Sequence, residues 1–396
     1  MLELTPRVND ISPSGTLEVT MEAQRLKEMG RDVIALSAGE PDFVTPPHII
    51  EAAKCALDEG FTHYPPVPGY PKLRQAISDK LRTENNIDFN PDNILVTVGA
   101  KQAIFLAINS VVCKDFEVMI PVPYWVSYPE IAKIAASNPV YVETHEENNF
   151  APTREELEKA ITPKTHAIIF SSPSNPTGSV YTEEQLRVIA DFALERKLWI
   201  IADEIYEKLV FEGEHKSILN VAPEVKDITI LINGFSKAYA MTGWRIGYLA
   251  AKTELVNAAK KLQGHMNTGV PSFVQVAAIE ALHGNQVPLS EMKAAFHRRR
   301  DLMYKLIREL PGITCLEPQG AFYCFPNISE WIGRTIRGVK INNSKDFCIV
   351  CLKEALVALV PGSAFGDDKF VRLSFATDDK LIIEALHRLK DLLTHP

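Results

Sequence analysis

Short apolar runs and longer amphipathic stretches alternate through the middle of the chain. The apolar runs have the length of strands that are buried on both faces, and they lie at Ile94–Val98, Glu117–Ile120, Val140–Glu143, Ala167–Phe170, Leu198–Ala202, Ile228–Ile232 and Ile246–Ala251. Helical periodicity separates several of them, at Lys101–Val111, at Tyr128–Ala136 and after the capping-box patterns that begin at Thr153 and Thr182. This alternation predicts an α/β fold with a mostly parallel, doubly wound sheet.

The two ends of the chain have a different pattern. Before the sheet we predict helices and one strand, at Ser14–Met29, Asp32–Leu36 (the strand), Pro47–Glu59 and Leu73–Thr83. After it we predict mainly helices, at Glu254–Leu262, Ser272–Leu282, Leu289–Glu309, Ser344–Val357 and from Asp379. Short strands lie among these helices, at Ile313–Leu316, Ala321–Phe325 and Phe370–Phe375.

The length of the chain indicates two domains. Its 396 residues exceed the size at which one hydrophobic core stops growing, roughly 250–300 residues. We predict a large domain over residues 45–285, which contains the doubly wound sheet, and a smaller α+β domain formed by residues 1–44 and 286–396.

Composition narrows the classes of function. A net charge of −8 argues against a broad nucleic-acid or anionic-membrane footprint. The segment Met1–Thr5 lacks the basic and apolar parts of a signal sequence, and no run reaches the ~18 apolar residues of a membrane span, so we expect a cytoplasmic protein. Six cysteines imply no disulfide framework. Cys348 and Cys351 form one CxxC within a predicted helix, where we expect them to pack rather than to bind a metal.

A lysine and an arginine stand in the loop between two predicted buried strands. Lys237 and Arg245 follow the run Ile228–Ile232 and precede the run Ile246–Ala251. A desolvated lysine loses its proton readily and becomes a nucleophile, although most lysines have no chemical role. Lys237 is therefore a catalytic candidate that requires partners.

Polar groups follow three other predicted strands, at the edge where ligands of such sheets bind. Gly99-Ala100-Lys101 stands at a helix start, where free N–H groups and the helix dipole suit a phosphate. Asp203, with Tyr206 after it, ends a buried strand, and Asn175 lies in a long turn after another. Each signal alone also has an ordinary reading, as an N-cap or a plain loop.

Taken together, these groups match one ligand, pyridoxal 5′-phosphate (PLP). The predicted pairs are the phosphate with Gly99–Lys101, Ser236 and Arg245, the ring nitrogen with Asp203, the phenolic oxygen with Tyr206 and Asn175, and the aldehyde with Lys237. No dinucleotide or P-loop motif accompanies the helix start.

Over essentially its whole length the sequence resembles the fold type I, class I aminotransferases, and among them the bacterial-type aspartate aminotransferase subgroup. The motifs that carry the resemblance are Ala38–Phe43, Tyr64–Arg74, Pro123–Trp125, Asn175–Gly178, Asp203–Tyr206, Ser236–Gly247 and Val371–Ser374. The resemblance implies that Lys237 holds PLP as a Schiff base in the large domain and that Trp125 stacks on its ring. It also implies that Tyr64 reaches the phosphate of a second subunit, in a homodimer.

The resemblance further implies how an amino acid and a keto acid bind. Read from the strand pattern alone, Arg372 is a solvent-exposed strand arginine; the resemblance makes it the clamp for the α-carboxylate, assisted by the Gly39 backbone. Lys101, with the hydroxyls of Ser14 and Thr16, receives the side-chain carboxylate in the subgroup. We therefore expect transamination between aspartate and 2-oxoglutarate.

Three alternatives stay open at this point. One is an aminotransferase for aromatic or other amino acids, or for prephenate, although members that use prephenate usually carry a lysine where this chain has Ser12. Another is a lyase of the same fold, since fold and cofactor do not fix the reaction. The third is a PLP-binding regulator without turnover, which the lack of a helix-turn-helix segment and of a cationic stripe disfavours.

Overall fold

The computed structural model describes residues 6–13 and 15–396. Its helices alternate with strands through the middle of the chain and dominate both ends. In chain order they are α1 (Pro6–Asn9), α2 (Gly15–Glu28), α3 (Pro47–Asp58), α4 (Pro71–Asn85), α5 (Gly99–Val111), α6 (Ser127–Ile134), α7 (Arg154–Ala160), α8 (Glu183–Arg196), α9 (Ile218–Val221), α10 (Thr253–Met266), α11 (Ser272–His283), α12 (Val287–Ile307), α13 (Ser344–Glu354) and α14 (Asp379–Thr394).

The strands divide between one large sheet and several small ones. They are β1 (Ile34–Ala35), β2 (Ile94–Thr97), β3 (Glu117–Val122), β4 (Asn138–Glu143), β5 (Thr165–Ser171), β6 (Trp199–Asp203), β7 (Thr229–Gly234), β8 (Gly247–Ala250), β9 (Tyr323–Cys324), β10 (Thr335–Ile336), β11 (Val339–Lys340), β12 (Val357–Ala358), β13 (Val360–Pro361) and β14 (Val371–Ser374).

The large sheet has the strand order β2-β8-β7-β6-β5-β3-β4. Strand β8 pairs antiparallel with its two neighbours, β2 and β7. All other neighbouring strands, from β7 to β4, pair in parallel. Because β2 and β7 both oppose β8, they run in the same direction as each other. The predicted α/β fold with a mostly parallel sheet is confirmed, and the carboxyl ends of β2, β3, β5, β6 and β7 meet at one edge.

Apolar residues of the sheet pack against helices on both faces. One core group joins β2, β5 and β6 to α3, α4, α8 and α11, and a second joins the opposite face of the sheet to α5, α6 and α10. A third group lies elsewhere, among α12, α13, α14 and strands β9 and β14. These groups explain why the strand sequences are continuously apolar. The domain boundaries at residues 45 and 285 stay predictions.

Two predictions for the C-terminal part were wrong. The expected strand Ile313–Leu316 is reduced to an isolated bridge between Thr314 and Asn327. The expected helix Ser344–Val357 ends at Glu354, and Leu356 adopts a left-handed φ of 56°. Val357 then pairs with Ile34 in a parallel bridge between the two ends of the chain. A partner so distant in sequence left no periodic signal for this strand.

Cys348 and Cys351 are buried in α13, where they pack into the core group of α12 and α14. Within the described residues, no helix is both long and apolar enough to cross a membrane.

Candidate active site

A cavity of about 640 Å³ opens at the edge of the sheet where the parallel strands end. Segments that follow β2, β3, β5, β6 and β7 each contribute to its wall, together with the segment 37–40 and residues of β9 and β14. Of the predicted site residues, the cavity is lined by Gly39, Ala100, Lys101, Trp125, Asn175, Asp203, Tyr206, Ser236, Lys237, Arg245 and Arg372. The topology thus brings together side chains that are far apart in sequence.

Lys237 lies in the wall of the cavity, directly after β7. Its Nζ donates a hydrogen bond to the carbonyl oxygen of Gly39 at 2.5 Å and lies 5.5 Å from the centre of the Phe322 ring. Burial lowers the pKa of Lys237 to about 8, against the opposing effect of Glu40. At pH 7 about a tenth of this amine is therefore unprotonated and nucleophilic.

Asp203, the last residue of β6, is 4% exposed. Tyr128 Oη donates to its Oδ2 at 2.7 Å, and the Ile205 N–H donates to its Oδ1 at 3.3 Å. Burial raises the pKa of Asp203 to about 6, although the bond from Tyr128 lowers it. The carboxyl is thus poised between its two ionisation states and suits a cationic partner in the cavity.

The start of α5 forms an anion cradle. Val98 provides no side-chain cap and the first turn has no acidic residue, so the first N–H groups of the helix face the cavity with its positive dipole end. Gly99 has a φ of +77°, and a Cβ there would lie 2.6 Å from Nη2 of Arg245. The guanidinium therefore rests against the helix start, with Ser236 also in the wall. Only glycine allows both the backbone angle and this contact.

Arg372 of β14 is 2% exposed and is held on two sides. Its Nη1 donates to Oδ1 of Asn175 at 3.0 Å, and its Nη2 donates to the carbonyl oxygen of Ser37 at 2.9 Å. The guanidinium also lies 4.4 Å from the centre of the Tyr323 ring. Nε is buried and has no hydrogen-bond partner within the described part of the chain. The reading of Arg372 as a solvent-exposed strand arginine was wrong, because Asn175 and the rings of Tyr323 and Phe365 surround its guanidinium.

Lys101 and Trp125 lie on the more open side of the cavity. Lys101 stands in the first turn of α5, and its Nζ is 5.0 Å from the centre of the Trp125 ring, a cation–π distance. Although Lys101 is exposed overall, partial loss of water around it, followed by the nearby charge of Arg245, lowers its pKa. The indole also packs edge-on against Tyr128.

Two tyrosines of the site were missed from the sequence. Tyr128 was read only as part of a helix, yet its hydroxyl reaches Asp203. Tyr323 lies in β9, and its hydroxyl shares a 2.9 Å hydrogen bond with that of Tyr206. The spacing of Tyr128 from Trp125, close to one helical turn, was the only available signal for the first; Tyr323 left none.

Two predicted residues whose positions are described, Gly99 and Tyr64, do not line the cavity. Gly99 lies against Arg245 at the start of α5. The side chain of Tyr64 is 90% exposed and does not line the cavity. Ser14 lies outside the described residues, and so does the side chain of Thr16, whose backbone belongs to α2.

A second cavity, of about 600 Å³, lies beside α2 and α13. Its charged groups include Glu130 and Lys133, which pair with each other at 3.0 Å. Ser12 also lines it and donates its backbone N–H to Glu130 at 2.9 Å. The first cavity is the better candidate for chemistry because it combines a nucleophilic amine, a buried carboxyl, an anion cradle and a carboxylate-binding guanidinium.

Comparisons with known proteins identify the family of this chain. The family model for aminotransferase class I and II matches residues 31–389. An aspartate aminotransferase of Bacillus subtilis is 44% identical over 390 residues, which cover 98% of both chains. An aspartate/prephenate aminotransferase of Nitrosomonas europaea is 43% identical over 99% of this chain and 100% of its own.

The solved structures give the same result. An aspartate aminotransferase from Thermus thermophilus, solved with maleate, superimposes with a TM-score of 0.93 at 39% identity, covering 99% of this chain and 100% of that one. Since the family model spans most of the sequence and the relatives match nearly end to end, this chain belongs to the class I and II aminotransferases, which are PLP-dependent enzymes.

Proposed function

We propose that this chain transfers the amino group of L-aspartate to 2-oxoglutarate, giving oxaloacetate and L-glutamate. The observation that carries the proposal is one cavity whose wall holds the amine of Lys237 together with two further cations, Arg372 and Lys101. A dicarboxylic substrate needs two such cations, whereas a neutral amino acid needs one.

The residues of the cavity fit PLP. The anion cradle of α5 with Arg245 suits its phosphate, and the buried carboxyl of Asp203 suits a protonated ring nitrogen. Trp125 offers an aromatic face, and Tyr206 and Asn175 offer a hydroxyl and an amide toward the ring oxygen. When bound, PLP supplies an aldehyde for the amino group and a ring that accepts the electrons released when the Cα–H bond breaks.

Lys237 has two roles in this proposal. Its amine, with a pKa lowered to about 8 by burial, would hold the aldehyde of the cofactor and would be freed when a substrate amine binds. The free amine would then act as the base that removes the proton from the substrate Cα. Asp203, with the hydroxyl of Tyr128 on its Oδ2, would keep a positive charge on the ring nitrogen.

Arg372 and Lys101 would orient the substrate. The guanidinium of Arg372 is fixed by Asn175 and the Ser37 carbonyl, so it is ready to bind the α-carboxylate in a forked contact. Lys101 would bind the second carboxylate from the first turn of α5. The hydroxyls of Ser14 and Thr16 would assist it, as the resemblance implies.

We also propose that the working unit is a homodimer. Tyr64 carries the family role of a phosphate contact, yet its side chain is 90% exposed and does not line the cavity of its own chain. In a homodimer, the hydroxyl of each Tyr64 would contact the phosphate bound in the partner subunit. This contact would explain why Tyr64 is exposed on its own chain.

The proposal is tested with protein reconstituted with PLP and a panel of amino acids. We expect an absorption band of the bound cofactor that changes on addition of aspartate and is restored by 2-oxoglutarate, with aspartate and glutamate preferred over aromatic substrates. The Lys237→Ala variant should lose the transfer reaction. Lys252→Ala, which removes a lysine that lies over Trp199 outside the cavity, is the matched control.

Other outcomes have clear meanings. A higher kcat/KM for an aromatic amino acid or for prephenate would replace aspartate as the substrate, and the similarity to the Nitrosomonas europaea protein makes prephenate the first of these to assay. Release of a product without restoration by a keto acid would indicate a lyase. A protein that binds PLP but turns over no amino acid would contradict the proposal.

A further inference from the structure

A cluster of buried charged side chains lies behind the end of β6. Glu204 follows Asp203 directly, and its carboxylate accepts a hydrogen bond from His215 Nε2 at 3.0 Å. The side chains of Glu204 and His215 are 2% and 7% exposed. Lys80 of α4 forms a salt bridge with Glu207, whose other oxygen accepts from Asn85 Nδ2 at 2.7 Å.

The cluster is electrically neutral only when His215 carries a proton. Two carboxylates, Glu204 and Glu207, then face two cations, Lys80 and the imidazolium of His215. Isolated buried charges are costly, so neutrality favours the protonated ring. Burial alone would lower the pKa of His215, but Glu204 and Glu207 raise it above its usual value.

The remaining ring nitrogen of His215 adds a cost to this state. Nδ1 is buried without a hydrogen-bond partner within the described residues, so protonation leaves one N–H unpaired. The charges of Glu204 and Glu207 outweigh this cost, since the pKa of His215 lies above its usual value. Lys208, which pairs with Glu84, also acts on Glu207. The charge of Glu207 in turn contributes to raising the pKa values of the neighbouring Tyr239 and Tyr248.

A metal ion fits the cluster less well. Glu204, Glu207 and His215 each offer a ligand atom, all within 4.8 Å of one another. However, Lys80 already supplies a positive charge to Glu207. A divalent ion in addition would leave the buried group with a net positive charge.

The link to the active site is Glu204. Its negative charge raises the pKa of Asp203, which favours the uncharged form of the carboxyl. A cation beside Glu204 offsets that effect. We propose that protonated His215 is a positioning residue for transamination: by neutralising Glu204, it keeps Asp203 ionised so that Asp203 can hold a positive charge on the ring nitrogen of PLP.

This inference rests on the proposed role of Asp203 and is tested by charge compensation at pH 6, close to the pKa of Asp203. His215→Gln should leave Glu204 unneutralised and raise the pKa of Asp203 by about one unit. The ionised fraction of Asp203 should then fall about fivefold, and the dissociation constant for PLP should rise and kcat should fall, each by about fivefold. The double variant His215→Gln/Glu204→Gln removes both charges and should return both constants to within about twofold of the unmodified protein.

The double variant separates charge from structure. If His215 acted only by packing, the second substitution would not restore PLP affinity, and that result would overturn the proposal. Unchanged constants in His215→Gln alone would also overturn it. Glu204→Gln alone should bind PLP nearly as the unmodified protein does, because the neutral pair leaves no charge beside Asp203.

A second measurement needs no His215 variant, in case that variant does not fold. Histidine labelled with ¹³C and ¹⁵N reports its ionisation by NMR in the protein with and without PLP, and the resonance that Glu204→Gln moves identifies His215. We expect an imidazolium at pH 7.5; a neutral ring there overturns the proposal. If the unmodified protein bound no PLP, the proposed function would fail, while this NMR result would still decide the charge of His215.

Discussion

The two cations proposed to bind the substrate are held in opposite ways. Arg372 is 2% exposed, donates to Asn175 and to the Ser37 carbonyl, and stacks on Tyr323. Lys101 is exposed, and its described contact is the face of Trp125 at 5.0 Å. One cation is fixed before substrate arrives, and the other lies on a flexible stem at the open side.

The difference matches what each group must recognise. Every amino acid has an α-carboxylate in the same place, so a rigid guanidinium fork can bind it with little ordering cost. Side chains differ in length and charge, and a lysine can follow them or move aside. We infer that the buried side of the cavity determines the reaction and the exposed side determines the choice of substrate.

The largest effect is expected from a substitution on the buried side of the cavity. Arg372→Ala leaves the substrate carboxylate and Asn175 without their partner, which costs about 2–5 kcal/mol, or roughly 30- to several-thousand-fold in kcat/KM. The loss should be similar for aspartate and for aromatic amino acids. Arg300→Ala, an equally buried arginine outside the cavity, is the control and should alter stability more than kcat/KM. A loss confined to aspartate would contradict the comparison.

A second test concerns the pKa of Lys237. Burial lowers the pKa of a lysine readily, whereas an arginine stays protonated. Because its pKa is lowered to about 8, the amine of Lys237 should lose its proton and become nucleophilic as pH rises through 8. The rate at which PLP-free protein captures PLP covalently should therefore rise about tenfold between pH 7 and pH 9 and then level off. Stopped-flow absorption measures this rate. A midpoint near the ordinary lysine value would show that burial does not act on this group.

A third test concerns the support of Asp203. The hydrogen bond from Tyr128 to Oδ2 lowers the pKa of Asp203. Tyr128→Phe removes this bond, so the pKa of Asp203 should rise further and kcat should fall about tenfold, or about 1.5 kcal/mol. Tyr181→Phe is the control, since that buried hydroxyl donates to the Phe150 carbonyl instead. Equal effects of the two substitutions on kcat would show that Tyr128 has no role in the reaction.

The smallest effect is expected from a substitution on the exposed side of the cavity. Lys101→Ala should raise KM for aspartate by up to about fivefold, the upper range of an exposed ion pair near 1 kcal/mol, and should barely change KM for an aromatic amino acid. Lys114→Ala, an exposed lysine in the turn that follows α5, is the control. Steady-state assays with both substrates decide the matter, and parallel changes in the two KM values would refute a specificity role.

Much of the fold could be predicted because its signals are local. Strands buried on both faces are continuously apolar, and capping boxes mark helix starts such as Thr153 and Thr182. The short strand at Val357 could not be predicted in this way, since its partner Ile34 lies at the other end of the chain. The failed strand at Ile313–Leu316 has the same cause, because an apolar run becomes a strand only where a partner edge is available.

The sequence alone determined which chemical groups this protein contains and which strand ends carry them: Lys237, Asp203, Asn175 and Gly99, the first residue of α5, each follow an apolar run. Only the tertiary structure decided how those groups are charged and held. The burial of Lys237 and Asp203 sets their pKa values, and the contacts that Tyr128, Tyr323 and Ser37 make in the site depend on how distant elements pack. Solvent exclusion and long-range hydrogen bonds depend on the packed chain, so no local pattern encodes them.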